Sequence, residues 1–216
     1  MSTFDLIDHS IERYCEEHTI PETDVLYQLN RKTHLETINP RMLSGHLQGT
    51  FLTFVTKMMQ PQRVLEIGTF TGYSAICLAQ GMPPTGILHT IECNVEYEDR
   101  ITKALNAADS ACQIIVHYKD AKALLPTLSE SWDLVFVDAD KEDYQTYYDL
   151  VLPQVRKGGF LLIDNVLWNG KVTREVAHND RDTQAILAFN DFVQHDVRVR
   201  NLLLPFRDGI MMIEKL

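Results

Sequence analysis

Val64-Leu65-Glu66-Ile67-Gly68-Thr69-Phe70-Thr71-Gly72-Tyr73-Ser74 is the stretch that decides the fold. Val64, Leu65 and Ile67, with Glu66 among them, read as a short buried strand. Gly68 and Gly72 bracket a turn, and Ser74-Ala75-Ile76-Cys77-Leu78-Ala79 opens a helix. A strand, a glycine turn and a helix in that order present backbone N–H groups and the positive end of a helix to an anionic ligand group. Glycine is needed because a Cβ would hold the ligand away from the backbone. Neither the full G-x-G-x-x-G nor the P-loop G-x-x-x-x-G-K-[ST] is present, so plain dinucleotide and triphosphate readings lose ground. A lone G-x-x-x-G turn is often only structural, and the residues downstream carry the decision.

From this turn onward strands and helices alternate. Ile87–Ile91 is a strand ending in Glu92, and a helix follows from Val95 to Ala108. Gln113–His117 is a strand leading to Asp120-Ala121, and a short helix stops near Pro126. Leu134–Val137 is a fully apolar strand ending in Asp138. Tyr144–Val155 reads as a helix, Lys157-Gly158-Gly159 as a turn, and Phe160–Ile163 as a strand ending in Asp164-Asn165. Such repetition specifies an α/β fold with a doubly wound, mostly parallel sheet and right-handed crossovers. The tail differs: after a helix over Thr183–His195, strands Val199–Leu204 and Ile210–Ile213 flank Pro205-Phe206-Arg207-Asp208-Gly209, a hairpin signal. Ahead of the glycine turn lie helical patterns over residues 3–18 (Leu6, Ile7, Ile11, Tyr14, Cys15), Asp24–Thr37 and Ser44–Met59, with a turn at Asn39-Pro40. In the third of these Leu47, Phe51, Leu52, Val55 and Met58/Met59 make an apolar helix whose methionines read as core filler. The expectation is one domain over residues 1–216, with residues 1–60 as helices that cover the site or build a dimer contact and residues 61–216 as a Rossmann-like core.

The 216 residues are enough for a full core. Twenty Lys+Arg against 30 Asp+Glu give a net charge of −10, which disfavours broad contact with a phosphate backbone or an anionic membrane. Cys15, Cys77, Cys93 and Cys112 form no C-x-x-C pair, so reduced thiols are a simpler account than zinc. With no basic-then-apolar leader and no run of 18 apolar residues, the expected location is the cytoplasm.

Ligands bind at the carboxyl ends of parallel strands, and Glu92, Asp120, Asp138 and Asp164 each stand just past a strand end. Glu92 suits the two hydroxyls of a ribose; on its own it would also pass as a solvated loop acid. Asp138, Asp164 and Asn165 offer two carboxylates and an amide oxygen from neighbouring strand ends, a hard oxygen set for Mg²⁺, with Ca²⁺ or Mn²⁺ as options. Asp164-Asn165 as a cap or Asx-turn is the plainer account. An ammonium flanked by a dication gives up its proton more easily, which makes Lys141 a candidate base; a surface lysine pairing with Asp138 or Asp140 is the alternative. Trp168 and Tyr144 or Tyr147 either flank a flat aromatic acceptor or simply pack.

Together V-L-E-I-G-T-F-T-G-Y-S, I-E-C-N, V-F-V-D-A-D-K and L-I-D-N-V-L-W-N-G-K-V resemble the metal-dependent, S-adenosylmethionine-dependent O-methyltransferases of the caffeoyl-coenzyme A type, related more distantly to catechol O-methyltransferase. The resemblance runs from Met42 to the C-terminus. It implies the class I methyltransferase fold, with a seven-stranded sheet whose last strand is antiparallel. By position it assigns Gly68, Thr69 and Ser74 to the amino-acid end of the cofactor, Glu66 to support of the turn, and Glu92 to the ribose. Asp120 and Ala121 approach the adenine, and Met42 and Ser44 touch the cofactor from the other side. Asp138, Asp164 and Asn165 match the metal ligands, Asp138 also facing the cofactor and taking part in catalysis, and Lys141 matches the catalytic lysine. The implied reaction methylates one hydroxyl of a vicinal aromatic diol, and the implied assembly is a homodimer through the N-terminal helices. Thr173–Asp182, the stretch that helps line the acceptor pocket, varies across the family. Alternatives are a transfer RNA 5-hydroxyuridine methyltransferase of the same fold, which the −10 charge weighs against, a nicotinamide-dependent protein, and a non-catalytic receiver-like protein.

Overall fold

A computed structural model describes residues 9–216. The first helix, α1, spans His9–Glu17; the part of the expected helix that holds Leu6 and Ile7 lies outside the described residues. Seven strands form one mixed sheet in the order β3-β2-β1-β4-β5-β7-β6, where β1 is Arg63–Ile67, β2 Ile87–Glu92, β3 Gln113–Tyr118, β4 Trp132–Val137, β5 Val155–Ile163, β6 Val199–Leu204 and β7 Ile210–Lys215. By contacts the chain divides into two compact units, Glu12–Asp120 forming one and Ala121–Leu216 belonging to the other.

In the first unit β1, β2 and β3 pair in parallel, with Glu66 opposite Thr90 and Ile91 opposite His117. Val64, Leu65, Ile67 and Leu88 are buried because a parallel strand covered on both faces has no polar side. Helices α2 (Asp24–Glu36), α3 (Gly45–Met59), α4 (Tyr73–Gly81) and α5 (Glu98–Ala107) complete the unit. The buried stripe of α3 is Gln48, Gly49, Leu52, Val55 and Thr56, while Phe54 and Met58 are exposed. The reading of Met58 as core filler is thus corrected. The helix turns its small and polar face inward because α4 comes too close for larger groups: a Cβ on Gly81 would lie 2.1 Å from Thr56 Oγ1. No described helix is long and apolar enough to cross a membrane.

On β2 and β3 the rings of His89 and His117 stack with centroids 5.2 Å apart, and His89 Nδ1 lies 3.0 Å from His117 Nε2. One nitrogen must donate and the other accept, so the bond is lost when both rings are imidazolium. Burial, and then the charge of Lys119, hold His117 below its ordinary value. A histidine depressed in the folded state contributes stability that is present above the unfolded value and is lost as pH falls through the folded one. For a bond worth on the order of 1 kcal/mol, calorimetry is expected to show a Tm drop of about 2–4 °C between about pH 7 and pH 5 attributable to this pair. The pH-dependent drop should be smaller in His117→Phe; equal drops in both proteins would remove the pair as the cause.

In the second unit β4 and β5 pair in parallel, and β7 pairs antiparallel with both β5 and β6. Its helices are α6 (Ala121–Leu124), α7 (Tyr144–Val151) and α8 (Arg181–His195), the last capped by Asp180, which accepts the Thr183 N–H at 3.2 Å. The helix expected over Tyr144–Val155 stops at Val151, and a 3₁₀ turn, Leu152–Gln154, carries Pro153, which cannot extend an α-helix. Lys157-Gly158-Gly159 is not a turn between elements but part of β5, where the register against β4 shifts between Trp132 and Leu134 and Gly158 takes φ +68°. A β-bulge has the same glycine chemistry as a turn. Lys215 on β7 clasps this junction: its ammonium donates to the carbonyls of Leu152 (2.8 Å), Pro153 (3.1 Å) and Val155 (2.6 Å).

Candidate active site

Within the first unit the glycine turn is wired to the ends of β1 and β2. Gly68 and Gly72 take φ +103° and +92°, as the sequence requires of them, and Phe70 also adopts the left-handed region at +51°. Gly68 N–H and Thr69 N–H donate to Ile91 O, at 3.0 and 3.2 Å. Glu92 is buried and its carboxylate is locked from two sides: Oε2 accepts the Phe70 N–H at 2.7 Å and Oε1 the Asn94 N–H at 2.8 Å. Each carboxylate oxygen keeps lone-pair capacity for a further donor, and a vicinal diol supplies two. Glu66, fully buried, accepts from Thr90 Oγ1 at 2.5 Å, and Thr90 Oγ1 lies 2.5 Å from Thr69 Oγ1. Glu66 therefore supports the turn through two threonines. Helix α2 is tied to the same turn by Thr33 Oγ1, which donates to Thr71 Oγ1 at 3.1 Å, and Glu22, just ahead of α2, accepts at 2.5 Å from Tyr73 Oη at the start of α4. Ser74 is buried at the start of α4, Ser44 is buried ahead of α3, Met42 is exposed, and Asp120 stands exposed beyond β3.

Within the second unit Ala121 is buried at the start of α6. Val137 pairs with Ile163, and Asp164 N–H donates to Val137 O at 2.9 Å, so Asp138 and Asp164 are the first residues past two adjacent strand ends. Asp164 is buried and accepts the Asn165 N–H at 2.8 Å; Asn165 itself sits at φ +57°. Lys141 Nζ donates to Asp138 Oδ1 at 3.3 Å and to Ala139 O at 2.9 Å, which leaves one of its three N–H positions for an incoming oxygen. Its ammonium lies 5.5 Å from the Tyr144 ring centroid and 5.7 Å from that of Trp168, within cation–π range. Tyr144 and Tyr147 are buried, so they pack rather than wall a pocket; Tyr144 Oη donates to Asp164 O at 2.7 Å. Burial, followed by the charges of Asp138, Asp164, Asp208 and Asp140, pushes the Tyr144 phenol well above its ordinary value. Trp168 is half-buried, its Nε1 is buried without a hydrogen-bond partner, and Lys171, paired with Asp180 at 2.9 Å, lies 5.8 Å from its ring.

Three residues that matter here carried no signal in the chain. Phe70 gives its N–H to Glu92 from a conformation expected of glycine, Thr90 looks like any strand threonine, and Asp208 sits in a hairpin where Asp-Gly is ordinary turn chemistry.

Residues 16–216 match the family model described as O-methyltransferase. A probable caffeoyl-CoA O-methyltransferase 2 from Dictyostelium discoideum is 33% identical over 214 residues, covering 97% of this chain and 93% of that one. Caffeoyl-CoA O-methyltransferase 1 from Eucalyptus globulus is 31% identical over 181 residues, 78% of this chain and 73% of its own length. Among solved structures, the O-methyltransferase TomG from Streptomyces achromogenes, involved in tomaymycin synthesis and in complex with SAM, superposes with a TM-score of 0.85 at 30% identity, covering 95% of this chain and 96% of TomG. An O-methyltransferase from Bacillus cereus in complex with SAH gives 0.87 at 26% identity, covering 96% and 97%. The sheet order and the glycine turn agree with these likenesses, and the chain belongs to the family of S-adenosylmethionine-dependent O-methyltransferases of the caffeoyl-CoA type.

Proposed function

We propose that this enzyme methylates one hydroxyl of a vicinal aromatic diol, a caffeoyl thioester or another catechol, with the help of a divalent cation, Mg²⁺ before Ca²⁺ or Mn²⁺. The observation that carries the reading is the pair of adjacent strand ends bearing Asp138 with Lys141 and Asp164 with Asn165. Their donors are two carboxylates and an amide oxygen, all hard and none sulfur or imidazole, which fits such a cation and leaves positions for water and acceptor oxygens. Among the described residues no three His, Cys, Asp or Glu side chains group as a metal site; the set proposed here has only two such residues, Asp138 and Asp164, and completes itself with the amide of Asn165. A cation bound there supplies positive charge that lowers the pKa of a neighbouring hydroxyl. Bound S-adenosylmethionine supplies an electrophilic methyl group on a sulfonium.

The chain's own residues do the rest. Glu92 accepts from the ribose hydroxyls with a carboxylate already fixed by Phe70 and Asn94. Gly68, Thr69 and Ser74 bind the amino-acid end, Met42 and Ser44 close over it, and Asp120 and Ala121 border the adenine. Lys141 as the neutral amine takes the proton of the acceptor hydroxyl on a lone pair at the position its two partners leave open, becoming an ammonium whose N–H then steadies the oxygen as it attacks. Trp168 flanks the flat acceptor; its unpartnered Nε1 supports a ligand there, since a buried donor without an acceptor is costly. Exposed Tyr27, Leu35, Ile38, Phe54 and Met58 on and between α2 and α3 support a homodimer through the N-terminal helices.

The test is methyl transfer from S-adenosylmethionine to caffeoyl-CoA and a small set of catechols, with Mg²⁺ and again with EDTA. Monomethylated product is expected with Mg²⁺, and EDTA should cut the rate by at least about a hundredfold, reversibly. Full activity in EDTA and in Asp164→Ala would remove the metal reading. Cofactor binding without turnover of any diol would remove the acceptor class.

A further inference from the structure

The β6–β7 hairpin loop grips the turn that follows Asn165. Leu167 N–H donates to Asp208 O at 2.9 Å and Val166 N–H to Gly209 O at 3.2 Å. The Asp208 side chain reaches the same turn one step on, Oδ1 accepting the Asn169 N–H. The two segments meet backbone to backbone: a Cβ on Gly209, which has φ +90°, would lie 2.8 Å from Leu167 N. The gripped turn has three consecutive left-handed residues, Trp168 at φ +48°, Asn169 at +52° and Gly170 at +70°. Glycine and asparagine tolerate that region, but tryptophan rarely enters it, so the conformation needs support from outside the turn. The support decides where the indole stands, and the indole stands 5.7 Å from the Lys141 ammonium. Asp208 is itself half-buried, and burial, opposed by the Asn169 N–H and the charge of Lys141, raises its carboxyl above the usual range.

We propose that Asp208 is a positioning residue for the methyl acceptor: by accepting the Asn169 amide it holds Trp168 beside Lys141 and so sets the affinity for a flat acceptor. Asp208 acts through the turn and not on the reacting atoms. The inference rests on the placement of Trp168 at the acceptor given above, so its test needs a readout that owes nothing to turnover. The chain provides one, because it has two tryptophans and Trp132 is fully buried, leaving Trp168 to report quenching by acrylamide.

Asp208→Ala and Asp208→Asn are compared with the unmodified full chain by acrylamide quenching, and then by steady-state kinetics with caffeoyl-CoA and S-adenosylmethionine. Asp208→Ala is expected to raise the quenching constant at least about twofold and the acceptor KM about tenfold, with kcat and the cofactor KM within about twofold. Asp208→Asn keeps an amide oxygen for the Asn169 N–H and should return both readings to near the original values. Quenching unchanged in Asp208→Ala would overturn the inference and leave Trp168 at the acceptor untouched. Stronger quenching with an unchanged acceptor KM would overturn the inference together with that placement of Trp168. Should Asp208→Ala fail to fold, Asp208→Ser, polar but too short to reach the amide, gives the same two readings.

Discussion

Lys141→Met is expected to lower kcat for caffeoyl-CoA by about 10²–10⁴-fold, the range that a positioned general base contributes. Lys141 is held by Asp138 Oδ1 and Ala139 O and stands over the Tyr144 and Trp168 rings. Methionine keeps much of the aliphatic stem and its packing, so the loss should sit in kcat, with the S-adenosylmethionine Kd by titration calorimetry within about twofold. Lys141→Arg should not rescue, because a guanidinium does not give up its proton in a protein. It also offers a planar fork where the site has room for one N–H direction. An enzyme that kept more than about a tenth of its kcat after Lys141→Met would put the lysine outside the reaction.

Glu92→Ala is expected to weaken S-adenosylmethionine binding by about 10²-fold or more. Two hydrogen bonds from a diol to an ionised carboxylate contribute about 1.5–3 kcal/mol each, and each 1.4 kcal/mol is tenfold in affinity. The substitution also strips the acceptor from the Phe70 and Asn94 N–H groups, so the glycine turn loosens with it. Glu92→Gln, with one acceptor oxygen left, should fall between the two. At saturating cofactor the alanine enzyme should turn over within about threefold of the original, because the loss is in ground-state binding. A Kd unchanged in Glu92→Ala would show that the ribose is held elsewhere.

What the chain reveals before folding is set by how local the signal is. The strand over Val64–Ile67, the glycine turn and the helix after it are legible because burial on both faces writes an apolar run, broken only by Glu66, and the left-handed φ angles of Gly68 and Gly72 favour glycine. The β6–β7 hairpin was legible from its loop. Lys157-Gly158-Gly159 misleads because a bulge inside a strand and a turn between elements use the same residues. Met58 misleads because helical periodicity cannot say that α4 approaches α3 too closely for a large side chain. Asp208 and Asn169 lie 39 residues apart, and Phe70 and Glu92 lie 22 apart. Nothing in either local pattern announces such a partner; only the folded backbone does.

The strand order of the second unit has a consequence for how the protein is made. β7 is synthesised after β6 yet lies between β5 and β6. On the ribosome β5 therefore waits with one unpaired edge until Ile210–Lys215 emerges, and the Lys215 clasp on Leu152, Pro153 and Val155 can close only then. The first unit has all three of its parallel strands well before that, so it can fold during translation while the second cannot. The exposed free edge of β5 invites pairing with a neighbouring nascent chain. Ribosome stalling or premature termination just short of Ile210 should thus yield aggregates rather than a trimmed enzyme.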